Sequence, residues 1–589
     1  MITASLILPQ MSAQNTMTCH VMETRDEVPP EKLPPPQKLT GIGNAHIRIT
    51  AKPEAQMWFD QGLNLLHDFW DYESMRAFEQ SIRVDGQCAM CYWGLAQAQQ
   101  FAHGNSKYYA SQSLKKAAAL KGHASKSERL YIEATVAEDA QKPGADSTKS
   151  EAARLYRKLV KREPKDMQAR IYLANTLNDG YDNDDQPRPG LKEALTILQS
   201  VMKEDPNDSA ANHYWIHAVE ASPHPEQALH SAEILGGLAP TSGHMVHMPG
   251  HIFYRIGDYA HAKESFAAST QADEQYMRAQ HVDVDDDWNY VHNLMYSIAN
   301  LLEVGEFKQA LALSSKLKDA RGKLANTLYV GSPRDSISRL NPRLPVSLRS
   351  GDWATVLELV KSAEPPASQP NLQFLARQLT QFASGMQSLE QHELARAEAT
   401  SEQFDAELWR ISNRVKDDAD TKAKEEKKKK DDAAPPKVPL MPDAKPDPLV
   451  STLSIMSLEL RAGVSVEKKQ NDDAKKLYAQ AAGEEKALGY REPPAYIRPV
   501  GETEAAAFLA ASAWTDAKTA YKDALVERPR SGFPLFGIAL SSEHAGDATA
   551  ASKEYAAFLA AWKSADSDLP QIEHARAYVA AHASATSGN

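Results

Sequence analysis

Two short segments, His213-Tyr-Trp-Ile-His217 and His247-Met-Pro-Gly-His251, carry the pattern that decides the fold. In each segment two histidines are four residues apart, a spacing that places both rings on one face of an α-helix. The second pair follows the first by 34 residues. That distance is the period of a repeat built from two antiparallel helices. Because equivalent positions of stacked repeats lie side by side, the four imidazoles are predicted to converge.

The spacing of small and helix-ending residues repeats this period independently of the histidines. Alanines suited to helix crossings recur 34 residues apart at Ala194, Ala228 and Ala262, and so do the prolines Pro206 and Pro240. The pattern is typical of tetratricopeptide (TPR) repeats. No segment shows the sustained alternation of apolar and polar residues that indicates a strand. We therefore predict an all-α, TPR-type helical solenoid.

Composition divides the chain into four predicted parts. Residues 1–45 are a leader or signal remnant followed by a proline-rich spacer, and residues 46–414 are a TPR block that carries the histidines. Residues 415–448 contain charge runs and prolines with almost no large apolar side chain to bury, which predicts a disordered linker. A second TPR block is predicted over residues 449–583.

Charge and hydropathy exclude two classes of partner. The net charge of −12 and the lack of a basic face argue against binding to nucleic acid. No apolar run approaches the roughly 20 residues that a membrane-spanning helix needs. A short apolar stretch near residue 5 that ends in Ser-Ala favours a periplasmic or secreted protein. Its lack of a basic region favours the alternative, a disordered leader on a cytoplasmic protein.

The chain has three cysteines, of which Cys88 and Cys91 form a C-x-x-C motif. Tyr92 follows where covalent haem attachment requires histidine. The motif is interpreted as a redox pair, as a local disulfide, or as two small residues that pack at the start of a helix.

A wider set of polar side chains falls on the same predicted helical stripe as the histidine pairs. In a TPR unit this stripe of the first helix lines the concave groove. The predicted metal ligands are His213, His217, Glu220, His244, His247, His251 and His292. Imidazole and carboxylate suit copper, zinc or iron. The alternatives are a polar groove that holds a peptide or small molecule, and a metal-free catalytic histidine cluster.

The sequence leaves three functions open. The first is a metal-dependent oxidoreductase or hydrolase that activates dioxygen or water, with Glu220 and Tyr254 as catalytic candidates. The second is a scaffold for protein–protein interaction through the groove, and the third is storage or delivery of metal. Pro249 lies between the histidines of the second pair, where it removes a helical hydrogen bond. This favours a specialised site.

Several blocks resemble a family of bacterial TPR proteins that share a His-Met-Pro-x-His motif. They include Trp58-Phe-Asp-Gln-Gly-Leu-Asn-Leu-Leu-His67, the segment ending at His251, and Gly489-Tyr-Arg-Glu-Pro-Pro494. The resemblance implies the repeat fold and an exported or unassigned location, and it implies no reaction. Gly250 stands where the resemblance leads us to expect serine, which would alter a hydrogen bond beside the site.

Two further features have open interpretations. The acidic loops that begin at Asp179 and His281 are lids, extra carboxylate ligands, a hard-cation site, or ordinary solvated loops. A polar and aromatic patch runs from Tyr490 to Arg498. Arg498 either holds an anion or belongs to a structural connection between helices.

Overall fold

The computed structural model describes residues 29–101, 106–141, 146–182, 184–284, 287–320, 333–426 and 447–582. Within these ranges the chain contains no β-strand, and a single isolated bridge joins Tyr181 to Pro187. The all-α prediction is confirmed. In chain order the helices are α1 (Pro53–His67), α2 (Asp71–Val84), α3 (Ala89–Phe101), α4 (Ser106–Leu120), α5 (Lys126–Asp139), α6 (Glu151–Arg162), α7 (Met167–Leu177), α8 (Pro189–Glu204), α9 (Ser209–Val219), α10 (Leu229–Leu238), α11 (Gly243–Arg255), α12 (Tyr259–Gln280), α13 (Trp288–Glu303), α14 (Phe307–Ala320), α15 (Pro333–Leu340), α16 (Leu344–Ser350), α17 (Trp353–Ala363), α18 (Pro370–Glu390), α19 (Leu394–Glu426), α20 (Asp447–Glu467), α21 (Asn471–Ala487), α22 (Val500–Ala510), α23 (Trp514–Glu527), α24 (Gly532–His544), α25 (Ala548–Ala561) and α26 (Pro570–His582).

In the first unit consecutive helices pack as pairs, such as α1 with α2, α3 with α4 and α7 with α8, and neighbouring pairs contact each other through α2 and α3 and through α6 and α7, as in TPR repeats. The first pair shows why small residues recur. The ring of Phe78 lies so close to α1 and α3 that a Cβ atom at Gly62 would meet it at 2.9 Å, and one at Gly94 at 2.2 Å. Only glycine allows this approach. In the first repeat, one buried phenylalanine therefore packs between glycines of two neighbouring helices.

The predicted repeat register is confirmed around the histidines. Helices α9 and α11 begin at Ser209 and Gly243, which are 34 residues apart. The three alanines of the same register, Ala194, Ala228 and Ala262, are all buried. Alanine at these positions leaves room for the neighbouring helix, and it stabilises the pair by removing apolar surface from water.

Packing divides the described chain into two compact units. Of the described residues, the first unit contains those from 29 to 252 and from 271 to 280, and the second contains those from 253 to 270 and from 281 to 582. This division differs from the blocks 46–414 and 449–583 that composition suggested.

The reason lies in the core of the second unit, which includes residues from both sides of the predicted linker. Phe382 and Phe404 of α18 and α19 belong to the same buried cluster as Leu453 and Leu460 of α20. Helix α19 continues to Glu426, inside the segment that composition predicted to be disordered. Residues 427–446 lie outside the described part of the chain, as do residues 1–28 with the predicted leader. Hydrophobic contacts therefore join α18 and α19 to α20 in one core, although the composition of the segment between them predicts two separate blocks.

Part of helix α20 also bears on the membrane prediction. Within the described residues, Leu449–Glu467 has the length and the mean hydropathy, 1.3, of a candidate membrane span. Of this segment, 72% is buried inside the protein. The same composition is expected of a helix at the centre of a soluble core.

The stretch before α1, predicted to be a spacer, is built into the first unit. The side-chain amide of Asn64 exchanges two hydrogen bonds with the backbone of Ala45, at 2.7 and 2.8 Å. The Ser209 amide at the start of α9 donates to Asn44 (3.0 Å). The Thr241 amide, just before α11, donates to the carbonyl of Gly41 (3.0 Å). One extended segment therefore connects α1, α9 and the start of α11, which are the elements that carry the histidine cluster.

Candidate metal centre

Helices α9 and α11 bring the predicted histidine pairs into the interior of the first unit. The side chain of Asp208 accepts a hydrogen bond from the amide of Ala211 (2.7 Å) and so fixes the start of α9. Helix α11 continues through Pro249, which has no N–H to donate to the preceding turn. His213, His247 and His251 are fully buried. The cluster is thus enclosed by protein, whereas the sequence predicted an open groove wall.

The first pair has a defined tautomer on each ring. Nδ1 of His213 lies 2.6 Å from the backbone carbonyl of His67, and Nδ1 of His217 lies 2.7 Å from Oε1 of Glu220. Carbonyl and carboxylate oxygens only accept hydrogen bonds, so both Nδ1 atoms carry the hydrogen. In the neutral rings both Nε2 atoms are then bare. These Nε2 atoms face each other at 3.1 Å.

The second pair is oriented by the same carboxylate. Nδ1 of His251 donates to Oε2 of Glu220 (2.7 Å). Nε2 of His251 lies 2.6 Å from Nε2 of His247. Glu220 therefore accepts one hydrogen bond on each oxygen and directs two imidazoles of different helices. This carboxylate is therefore placed to orient the rings, whereas the sequence predicted it to be a metal ligand.

His244 lies between the two pairs. Its ring centroid is 5.1 Å from that of His213 and 6.0 Å from that of His247. One nitrogen from each of His213, His217 and His244 can be chosen so that all three lie within 4.8 Å of one another. Two metal–nitrogen bonds of about 2.0–2.1 Å separate neighbouring ligand atoms by roughly 3 Å. The spacing within the first pair already matches that distance.

A residue that the sequence did not predict covers these rings. Phe69 follows α1 with a left-handed backbone (φ 57°), which is rare for a bulky residue. Its ring centroid lies 4.7 Å from that of His213, 5.2 Å from His217 and 5.3 Å from His244. The block from Trp58 to His67 ends two residues earlier, but local sequence does not predict a left-handed phenylalanine. The contact depends on tertiary packing.

Burial favours the neutral, ligand-competent form of two of the imidazoles, His213 and His251. Desolvation, followed by the neighbouring imidazole of His217, lowers the pKa of His213 well below its usual value. Desolvation also lowers the pKa of His251. Burial alone would raise the pKa of the Glu220 carboxyl, but the imidazoles of His217 and His251 hold it well below its usual range. His213 and His251 therefore offer neutral nitrogens beside one ionised carboxylate.

His67 links the cluster to the core of the first unit. Its Nδ1 lies 3.1 Å from the hydroxyl of Tyr214 and its Nε2 lies 2.7 Å from Oε1 of Gln168. Burial lowers the pKa of His67 to about 4. Because its ring is bonded on both nitrogens, the His67 carbonyl has a fixed position from which to hold His213.

Two of the predicted site residues belong to the second compact unit. His292 is buried on α13. The hydroxyl of Tyr254 lies 3.5 Å from Oε1 of Glu303, and burial raises the pKa of Tyr254 to about 12. Three other histidines, His224, His230 and His261, have side chains that are 64%, 75% and 60% exposed.

The acidic loops have structural roles where they are described. The carboxylate of Asp179 accepts hydrogen bonds from the amides of Gly190 (3.1 Å) and Leu191 (2.7 Å), at the start of α8. Asp287 accepts from the amide of Tyr290 (3.4 Å) and caps α13. Asp285 and Asp286 lie outside the described residues. Helix capping accounts for the carboxylates of Asp179 and Asp287.

Cys88 and Cys91 form a disulfide at the start of α3, with both side chains buried. Of the three interpretations of the C-x-x-C motif, the structure has the local disulfide.

No protein-family model and no curated protein matches the chain. Among solved structures, the chain is similar to yeast Tom70, with 14% identity and a TM-score of 0.30 over 90% of this chain and 96% of that one. It is similar to human IFIT1, solved as a dimer with m7Gppp-AAAA, with 12% identity and a TM-score of 0.30 over 87% of this chain and 97% of that one. For the TPR domain of P58(IPK) the identity is 13% and the TM-score 0.17, over 72% of this chain and all (100%) of that domain. Scores this low identify no function, and the assignment of a TPR-like helical repeat rests on the helix pairs themselves.

Proposed function

We propose that this helical-repeat protein binds a transition-metal ion, copper, zinc or iron, at the histidine cluster of α9 and α11. One observation carries the proposal: the bare Nε2 atoms of His213 and His217 face each other at 3.1 Å. Two lone pairs at this distance repel each other unless a cation lies between them. A metal ion bonded to both nitrogens removes the repulsion.

A proton is the other cation that would relieve this contact. Burial disfavours a proton on the ring of His213, because it lowers the pKa of this ring well below the usual value. A metal ion accepts both lone pairs at once, whereas a proton is bonded to one ring and shared with the other. The donor set of neutral imidazoles suits copper, zinc and iron.

The hydrogen bonds around the rings support the same proposal. Metal-bound histidines almost always donate their other N–H to a carboxylate or a backbone carbonyl, which fixes the tautomer and the ring orientation. His217 and His251 both donate to Glu220, and His213 donates to the carbonyl of His67. Three rings of the cluster therefore have the partners that metal ligands have.

We propose metal binding and assign no catalytic role to Glu220 or Tyr254, the two residues that the sequence suggested as catalytic. Glu220 accepts hydrogen bonds from two imidazoles, and a carboxyl whose pKa is held well below its usual range is a weak general base. Tyr254, with a pKa raised to about 12, retains its proton near neutral pH. Storage or delivery of metal, or a structural ion, needs no such base.

We also propose an exported bacterial protein, since disulfides such as Cys88–Cys91 persist in oxidising compartments.

The alternative is a scaffold for protein interaction, which is the common use of repeat folds. The observation that favours it is the repeat architecture, since stacked helix pairs present extended surfaces to peptides. On this alternative the buried histidines are packing residues, and a peptide or small molecule binds elsewhere on the repeats.

Cobalt titration separates the two proposals. Metal-free protein should bind Co²⁺ with saturable visible absorption bands, and zinc should displace the cobalt. A double variant, His224→Ala with His230→Ala, removes two exposed histidines and should titrate like the wild type. Folded protein that shows no cobalt bands and no zinc uptake would favour the scaffold.

A further inference from the structure

The second compact unit contains a cavity of about 140 Å³, called here the Arg498 cavity. Its lining combines two guanidinium groups and a carboxylate with three aromatic rings. These residues are Arg349, Arg498, Glu502, Tyr521, Phe533 and Phe536. The two arginines differ in how their charge is balanced.

Arg349 is fully paired. Its Nε and Nη2 atoms donate to Glu303 at 3.2 and 2.7 Å, and its Nη1 and Nη2 atoms donate to Glu502 at 2.5 and 2.9 Å. Two carboxylates therefore surround one buried guanidinium. Arg528 lies 3.8 Å from Glu303, so two guanidinium groups balance the two carboxylates.

Arg498 has no such partner. No carboxylate in the described chain forms a hydrogen bond or an ion pair with its half-buried guanidinium, which lies 5.9 Å from the ring centroid of Trp353. Two carboxyls of the same unit, Glu390 and Glu459, interact with Arg498 at longer range. Burial raises the pKa of both, and that of Glu459 to about 8. The guanidinium of Arg498 therefore keeps donor groups that no carboxylate of the described residues occupies.

The opposite wall is apolar. Gly537 lies so close to Tyr521 that a Cβ atom there would meet the ring at 2.3 Å, so the ring packs directly on α24. Phe533 stacks on Arg349, with the guanidinium carbon 4.1 Å from the ring centroid. Phe536 and Leu540 extend the same wall. A ligand that reaches Arg498 from this cavity must have an apolar body.

We propose that the Arg498 cavity binds a small aromatic carboxylate, with the carboxylate on the guanidinium and the ring against the apolar wall. Arginine pairs with carboxylates through two parallel hydrogen bonds, which gives both strength and orientation. A dry cavity of about 150 Å³ is large enough to hold benzene. The ligand class is therefore the size of benzoate, from a free acid or from the C-terminal aromatic residue of a peptide.

Calorimetric titration of the full chain with benzoate, benzamide and inorganic phosphate tests the proposal. Benzoate should bind saturably and at least about tenfold more tightly than benzamide, which has the same shape without the charge. Equal binding of benzamide, stronger binding of phosphate, or no benzoate binding at millimolar concentration would each overturn it. N-acetylphenylalanine distinguishes the two sources, because it binds more tightly than benzoate when the site takes peptide C-termini.

Variants test whether benzoate binds in the Arg498 cavity. Arg498→Gln should weaken benzoate binding at least about tenfold, whereas Arg461→Gln, which removes an exposed arginine near Asp405, should not change it. Leu540→Trp fills the cavity and leaves every charge in place, so it should also abolish binding. Undiminished binding in both Arg498→Gln and Leu540→Trp, with helicity retained, contradicts the proposed site.

Discussion

The Nε2 atoms of His213 and His217 face each other at 3.1 Å across one turn of α9. Each ring is held there by its other nitrogen, since Nδ1 of His213 donates to a backbone carbonyl and Nδ1 of His217 donates to Glu220. Neither ring can turn without breaking a buried hydrogen bond, which costs about 1–3 kcal/mol. Two lone pairs are therefore kept in opposition by the fold.

Removal of either ring that donates to Glu220 should remove metal binding. We expect His217→Ala and His251→Ala each to lose most metal uptake in equilibrium dialysis, with unchanged helicity by circular dichroism. His230→Ala, at a side chain that is 75% exposed, serves as the control and should keep full uptake. Equal metal content in all three variants would show that the histidines of the cluster are packing residues and not metal ligands.

The role of Glu220 predicts a graded effect. In Glu220→Gln the amide has one accepting oxygen, so it can hold only one of the two Nδ1–H groups and presents N–H to the other ring. Loss of such an orienting partner typically lowers metal affinity about 10- to 100-fold. Competition with a zinc chelator measures this change. An unchanged affinity would mean that the rings do not need their shared acceptor.

Phe69 should control how fast metal leaves. Its ring lies against three imidazoles and is 2% exposed, so Phe69→Ala opens a path for water and chelator. We expect faster release of metal to excess chelator by stopped-flow absorbance. Trp409→Ala, which removes a residue that is 65% exposed, should release metal at the wild-type rate. Identical rates in both variants would exclude a covering role for Phe69.

Glu459 predicts how stability depends on pH. Burial raises its pKa from 4.5 to about 8, although Tyr496 donates a hydrogen bond to it. Between these pH values the folded state binds the proton and the unfolded state does not. Its contribution is therefore complete below about pH 4.5 and is lost as the pH rises through about 8, by at most roughly 1.4 kcal/mol per unit.

Glu459→Gln cannot titrate at this position and keeps an oxygen for Tyr496. The variant should lose less stability than the wild type between pH 5 and about pH 8, as measured by urea denaturation at a series of pH values. Parallel curves for the two proteins would show that Glu459 is not protonated in the folded state.

The sequence predicted those features that repeat with the helical period. The 34-residue spacing placed His213 and His247 at equivalent positions, and Glu220 on the same stripe. That placement agrees with the hydrogen bonds that His217 and His251 donate to Glu220. The all-α fold could be predicted for the same reason, since periodicity is a local property of the chain.

Features that depend on distant contacts could not be predicted in this way. Phe69 reaches the histidines through a left-handed turn more than 140 residues before them, and burial of the cluster depends on such packing. The shared core of Phe404 and Leu453 spans a segment whose charged composition predicted a separation. Composition reports whether a segment can bury surface and does not report what its flanking helices contact.

Elemental analysis of natively purified full-length protein tests the central claim most directly. We predict one or two ions of copper, zinc or iron per chain, retained through gel filtration and reduced to background in the His213→Ala, His217→Ala double variant. A wild-type protein that is folded and free of metal, and takes up none of the three metals on titration, would contradict the proposed metal centre.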